Sequence, residues 1–187
     1  MIKAIIFDCF GVVFTDHFGE VYTHFGGDLK KDYELIEKAF FDASKGEIES
    51  GMSVIAPHLG ITEAEWGEVE EKTRGFDYEL LSYTKDLRKK YKVGMLSNIS
   101  NKGLSYYMDY SVLLEHFDDI VESAKIGFAK PEARAFEIAA ERLSVRLDEC
   151  VFVDDRPNYI EGAQHVGMKI VLYTDFKDFK KRLDSLL

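Results

Sequence analysis

Apolar residues recur in two rhythms along this chain. Short runs rich in β-branched and aromatic residues read as buried strands: the run from Lys3 ending at Asp8, then Val93 to Ser97, Ile120 to Glu122, Val151 to Asp154 and Ile170 to Tyr173. Helical periodicity separates the later runs, over Tyr78 to Tyr91, Glu132 to Leu143 and Tyr159 to Val166. Such alternation predicts βαβ units and an α/β fold built on a Rossmann-like parallel sheet. Right-handed crossovers then gather the loops that follow the strands at one carboxyl edge, where open α/β sheets place ligands.

The rhythm changes between the first strand and Gly75. Helical patterns cover Asp32 to Ser44, Ile48 to Leu59 and Thr62 to Thr73, broken by Gly26-Gly27, Gly46, Pro57 and Gly60. Thr62 followed by Glu65 is the spacing of a capping box. This stretch is expected to form a small inserted helical cap, residues 15–75, over a core made of residues 1–14 and 76–187. Insertion directly after the first strand's loop makes a lid over the carboxyl edge its natural position.

With 187 residues the chain is long enough for one buried core plus a small insertion. A formal net charge of -10 argues against nucleic acid as a partner, because phosphate backbones are bound through Lys and Arg. The first apolar stretch is too short for a signal peptide or a membrane span, so the expected location is cytoplasmic, with no membrane partner. Cys9 and Cys150 fall at opposite ends of predicted neighbouring strands, which makes a disulfide awkward and reduced thiols the expectation.

Chemistry concentrates at the strand ends. Asp8 closes the first run, and Asp154-Asp155 close Val151-Phe152-Val153, so parallel packing would gather three carboxylates at one edge. Crowded carboxylates repel unless a cation relieves them. Oxygen ligands without a His or Cys set suit magnesium rather than zinc.

Four segments carry a family resemblance. In order and spacing, Phe7-Asp8-Cys9-Phe10-Gly11-Val12, Met95-Leu96-Ser97-Asn98, Gly127 to Glu132 around Lys130, and Phe152-Val153-Asp154-Asp155 resemble the motifs of the haloacid dehalogenase (HAD) superfamily. Lys130-Pro131-Glu132-Ala133-Arg134 and Ile160-Glu161-Gly162-Ala163 are similar to its sugar-phosphatase-like members with a helical cap, a branch that includes the N-terminal phosphatase domain of epoxide hydrolases. The resemblance implies a HAD core and a phosphatase acting on a small phosphorylated metabolite such as a sugar phosphate, as a monomer or homodimer. It implies Asp8 as nucleophile, forming an aspartyl phosphate. Ser97, Asn98 and Lys130 would hold the phosphate, and Asp8, the Phe10 backbone carbonyl, Asp155 and Asp154 would hold Mg2+.

Two positions depart from the family pattern. Phe10 stands where most HAD phosphatases carry an acid–base aspartate, which leaves Asp16 or His17 as substitute acids. An aromatic there also resembles the 2-haloacid dehalogenases, although those lack the Asp154-Asp155 type of pair and the stretch from Thr15 to Thr73 has no arginine to receive a halide. Tyr159 stands where the family usually has an Asp or Asn that orients the metal ligands. Together these departures keep open a catalytically silent HAD fold that binds a ligand or a partner.

Overall fold

The computed structural model describes residues 1–15 and 17–187; Asp16, one of the two substitute acids, lies outside the described residues. Five strands, β1 (Ala4–Phe7), β2 (Lys92–Ser97), β3 (Asp119–Glu122), β4 (Cys150–Asp154) and β5 (Lys169–Leu172), form one parallel sheet in the order β3-β2-β1-β4-β5. β1 lies at its centre, with Phe7 opposite Met95 on one side and Val153 on the other.

Both faces of the sheet are covered, which is why its strands read as nearly unbroken apolar runs. Ile5 and Phe7 face a layer that includes Leu80 and Leu87 of α5 (Tyr78–Leu87), Leu113 of α6 (Tyr110–His116) and Phe179 of α10 (Phe176–Asp184). Ala4 and Ile6 face the opposite layer, with Phe136 of α8 (Ala133–Arg142) and Ile160 of α9 (Pro157–His165). A single turn, α7 (Ser123–Ile126), leads from β3 toward the loop that carries Lys130.

Between β1 and α5 the chain folds into α1 (Phe18–His24), α2 (Tyr33–Ser44), α3 (Met52–His58) and α4 (Glu63–Glu70). These helices bury a cluster of their own, including Val21, Tyr22, Ile36, Ile55 and Trp66. The connections to the core are stitched together: Thr15 N–H donates to Gly75 O at 2.8 Å, Gly75 N–H donates to Thr15 Oγ1 at 2.8 Å, and Asp77 N–H donates to Val13 O at 2.9 Å. Thr62 and Glu65 form the capping box that their spacing predicts.

The differences from the sequence reading are local. The helix expected from Ile48 begins at Met52, and Ser50 Oγ just before it accepts the Ser53 N–H at 3.2 Å. α1 is absent from that reading because Gly19 interrupts a short pattern. α10 is missed although Phe176, Phe179 and Leu183 share one face, because lysines crowd the intervening positions. Cys9 and Cys150 are both buried and unbridged.

Candidate active site

The carboxyl ends of β1, β2 and β4 deliver the side chains that the sequence singles out. Asp8 follows β1, Ser97 ends β2, and Asp154 ends β4 with Asp155 next in the chain. Lys130 arrives from the loop between α7 and α8. Its ammonium lies 2.7 Å from Asp8 Oδ1 and 2.7 Å from Asp154 Oδ2, with the side chain 0% exposed. One buried cation therefore braces two strand ends.

The charge balance of this cluster is lopsided. Oxygens of Asp8, Asp154 and Asp155 lie within 4.8 Å of one another, against a single lysine. Burial first, then the Asp154 carboxylate, pushes Asp8 up to about 8, against the pull of Lys130. Burial pulls the Lys130 ammonium down, but Asp154 and Asp8 outweigh it and hold its pKa above the usual range. Surplus negative charge among oxygen donors is what a divalent cation offsets, so the residues fit magnesium.

The two aspartates of the pair differ in position. Asp154 is fully buried and both its oxygens are engaged, Oδ2 by Lys130 and Oδ1 by the Arg156 N–H at 2.8 Å. Asp155 lines the cavity above Asp8. Its approach to the first loop depends on Gly11: a Cβ there would fall 2.5 Å from Asp155 Oδ2, and the backbone φ of +81° favours glycine as well. Gly162 has a similar use, since a Cβ on that face of α9 would meet Pro131 at 2.7 Å and push away the loop that carries Lys130.

Ser97 is fully buried, and among the described residues its hydroxyl has no hydrogen-bond partner. Asn98 spends its side chain on Lys130: Oδ1 accepts the Lys130 N–H at 2.8 Å and Nδ2 donates to the Lys130 carbonyl at 2.9 Å. Its amide thus fixes the lysine's loop, and a phosphate contact from this residue would fall to its backbone N–H. Tyr159 closes the cluster from α9, its hydroxyl 3.3 Å from Asn98 Nδ2 and its ring 4.9 Å from the Lys130 ammonium.

Phe10 packs edge-on against Phe14 and Tyr107, with ring centroids 6.0 and 5.6 Å away. The position of the expected acid is thus part of an aromatic wall. His17 does not line the cavity, and its Nδ1 lies 3.3 Å from Glu20. Cys9 is no rival nucleophile, because burial and then Asp8 hold its thiol well above the ordinary range.

A cavity of about 490 Å³ opens above Asp8, between the sheet edge and α1–α4. Among the described residues, three ion pairs cross the seam around it: Arg156 to Glu37 at 2.6 Å, Lys102 to Glu63 at 2.6 Å, and Lys45 to Glu132 at 2.7 Å. Arg156 also lies over the Tyr159 ring at 4.8 Å. The sequence reading missed this arginine; its place directly after Asp154-Asp155 was the available signal.

The fold agrees with the comparisons. The haloacid dehalogenase-like hydrolase family matches residues 2–167, and the chain belongs to that family of hydrolases. It is 36% identical over 89 residues to a Mycobacterium tuberculosis protein named Phosphatase MT3486, an alignment covering 46% of this chain and 40% of that protein. It is 26% identical over 180 residues to the sesquiterpene phosphatase astK of Aspergillus oryzae, covering 92% of this chain and 90% of that one. Among solved structures, a HAD family enzyme of Bacteroides thetaiotaomicron, crystallised with magnesium and inorganic phosphate, superposes with a TM-score of 0.72 at 20% identity, covering 94% and 98% of the two chains. Among the described residues, no helix is long and apolar enough to cross a membrane.

Proposed function

We propose that this chain is a magnesium-dependent phosphatase that releases inorganic phosphate from a small phosphate monoester through covalent catalysis at Asp8. The observation that carries the reading is Asp8 itself, braced by Lys130 at 2.7 Å beneath a cavity that Asp155 also lines. In the first step an Asp8 oxygen bonds to phosphorus while the phosphorus–oxygen bond to the alcohol breaks; the alcohol leaves with the electron pair and takes a proton from water. In the second step water attacks the same phosphorus, the bond to Asp8 breaks, and inorganic phosphate leaves with Asp8 restored. The sum is one ester and one water giving one alcohol and one phosphate.

Asp8, the Phe10 carbonyl and Asp155 would hold the cation, with Asp154 behind them fixing Lys130. When bound, magnesium supplies positive charge that lets an anionic nucleophile meet an anionic ester. Lys130 adds charge beside Asp8, and the Ser97 hydroxyl supplies a buried donor for a phosphate oxygen. Residues 15–75 act as the cap that covers the reacting groups. The related phosphatases and the magnesium and phosphate complex of the bacterial HAD enzyme support this reading.

Phe10 favours a second reading, hydrolysis of a 2-haloacid, because halide leaves without a proton. Asp155 beside Asp8 counts against it, since a carboxylate there repels an acidic substrate. The test is phosphate release from p-nitrophenyl phosphate with magnesium or with a chelator. Release that needs the metal and disappears in Asp8→Asn is the expected result; release that survives in Asp8→Asn would overturn the role of Asp8.

A further inference from the structure

We propose that the alcohol half of the substrate is apolar and ring-sized or larger, rather than a sugar. The inference rests on the phosphatase reading above and names the substrate class of the same site. The cap's contribution to the cavity wall is mainly apolar, with Phe18, Ile36, Phe40, Phe41, Met52 and Trp66 set among the carboxylates Glu37, Glu63 and Glu70. From the core side, Phe10, Tyr106 and Tyr107 continue the same surface.

Phe40 and Phe41 are consecutive residues of α2 that line the cavity and remain 37% and 42% exposed. Large aromatic side chains standing open in a concave site gain most from an apolar occupant, because the driving force scales with the apolar area removed from water. Sugar sites also use aromatic rings, but they add donors and acceptors that replace the water around each hydroxyl; a buried hydroxyl without a partner is costly. Here the charged wall residues Glu37, Glu63, Lys102 and Arg156 are paired with one another across the cap seam at 2.6 Å, and Glu70 lies 4.0 Å from Arg74. The Asn98 amide is committed to the backbone of Lys130.

Phe10 points the same way. A ring at the position of the acid turns the wall nearest Asp8 apolar and leaves the departing oxygen without a proton from that residue. Within an apolar series, aryl esters, whose oxygen leaves readily as a phenolate, should therefore outrun alkyl esters. A cavity of about 490 Å³ has room for a fused ring system or a branched chain together with the phosphate.

Trp66, the chain's single tryptophan, lines the cavity and makes binding readable without turnover. With magnesium present, quenching of Trp66 fluorescence would be titrated with inorganic phosphate, glucose 6-phosphate and 1-naphthylmethylphosphonate. In parallel, kcat/KM would be measured for 1-naphthyl phosphate, decyl phosphate and glucose 6-phosphate. The expected result is tighter binding of the naphthyl phosphonate and a kcat/KM for 1-naphthyl phosphate about 100-fold above that for glucose 6-phosphate. Phe41→Asp should erase most of that preference, and Phe41→Leu should keep it. Equal or better use of glucose 6-phosphate would overturn the inference and leave the phosphatase reading standing. Absence of both phosphate binding and phosphate release across the panel would overturn the two together.

Discussion

At the sheet edge, Lys130, Asp8 and Asp154 are locked by 2.7 Å contacts with almost no solvent around them, whereas across the cavity Phe40 and Phe41 of α2 stand 37% and 42% exposed. The floor is charged, buried and carried by strand ends; the roof is aromatic, half open and carried by short helices. A reaction that moves charge needs groups whose positions are fixed before the substrate arrives. A wall that only excludes water and fits an apolar body needs area more than precision. The difference teaches that, on the proposed function, chemistry and selectivity would occupy separate parts of this molecule, joined among the described residues by three ion pairs across the seam.

Removing the floor's one cation should have the largest effect on stability. Lys130→Met leaves Asp8 and Asp154 buried without their partner, and it is expected to cost about 3–5 kcal/mol by denaturant titration, with part recovered when magnesium is added. A loss below about 1 kcal/mol would mean that the cluster is not held by this lysine. Phe10→Asp bears on the boundary between floor and roof. It should raise kcat for alkyl phosphates about 100-fold and for aryl phosphates much less, because only the poorer leaving group needs a proton. Equal gains for both classes would contradict the account of Phe10.

The seam provides a smaller effect. Glu37→Gln removes the partner of Arg156, a partly exposed pair, so its stability cost should be about 1 kcal/mol or less and should shrink in high salt. A cost that does not change with salt would show that packing rather than charge holds the cap there. The smallest expected effect lies far from the site. Burial holds the His116 imidazole below its ordinary pKa, with Nδ1 3.0 Å from Thr84 Oγ1. A base whose pKa is lower folded than unfolded leaves stability intact above about pH 6.5 and weakens it as the pH falls below that. His116→Gln should flatten this acid-side slope in a series of thermal melts, and an unchanged slope would assign it to the carboxylates.

The floor was largely legible in the sequence because its residues sit at strand ends, where a run of buried apolar residues stops at a carboxylate. β1 and β4 announce Asp8 and Asp154-Asp155 in this way, and parallel pairing of Phe7 with Val153 brings them together. The division of labour within the pair was not legible. Asp154 and Asp155 are equivalent as letters, and only the fold turns one toward Lys130 and the other toward the cavity. The Asn98 amide likewise reads as a phosphate ligand until the Lys130 loop is seen to occupy it.

The roof was the less legible half. Phe18, Tyr22, Phe25, Tyr33, Phe40 and Phe41 look alike in the sequence, yet Tyr22 and Phe25 pack into the cap's own core, Phe40 and Phe41 turn toward the cavity, and Phe18 packs against that core while also lining the cavity. Which ring goes where depends on how α1, α2 and α4 cross, and helical periodicity in segments of 7 to 12 residues does not encode that. The ion pairs of the seam join residues 39 to 119 positions apart, beyond the reach of any local pattern.

The most direct test of the central claim is to quench the protein in acid during turnover of p-nitrophenyl phosphate with magnesium, then to weigh the peptides. The account predicts a phosphoryl group on the peptide that contains Asp8, absent from Asp8→Asn and, in labelled water, heavy oxygen in the released phosphate but not in Asp8. Turnover that leaves heavy oxygen in the Asp8 carboxylate, with no phosphoryl adduct, would contradict it.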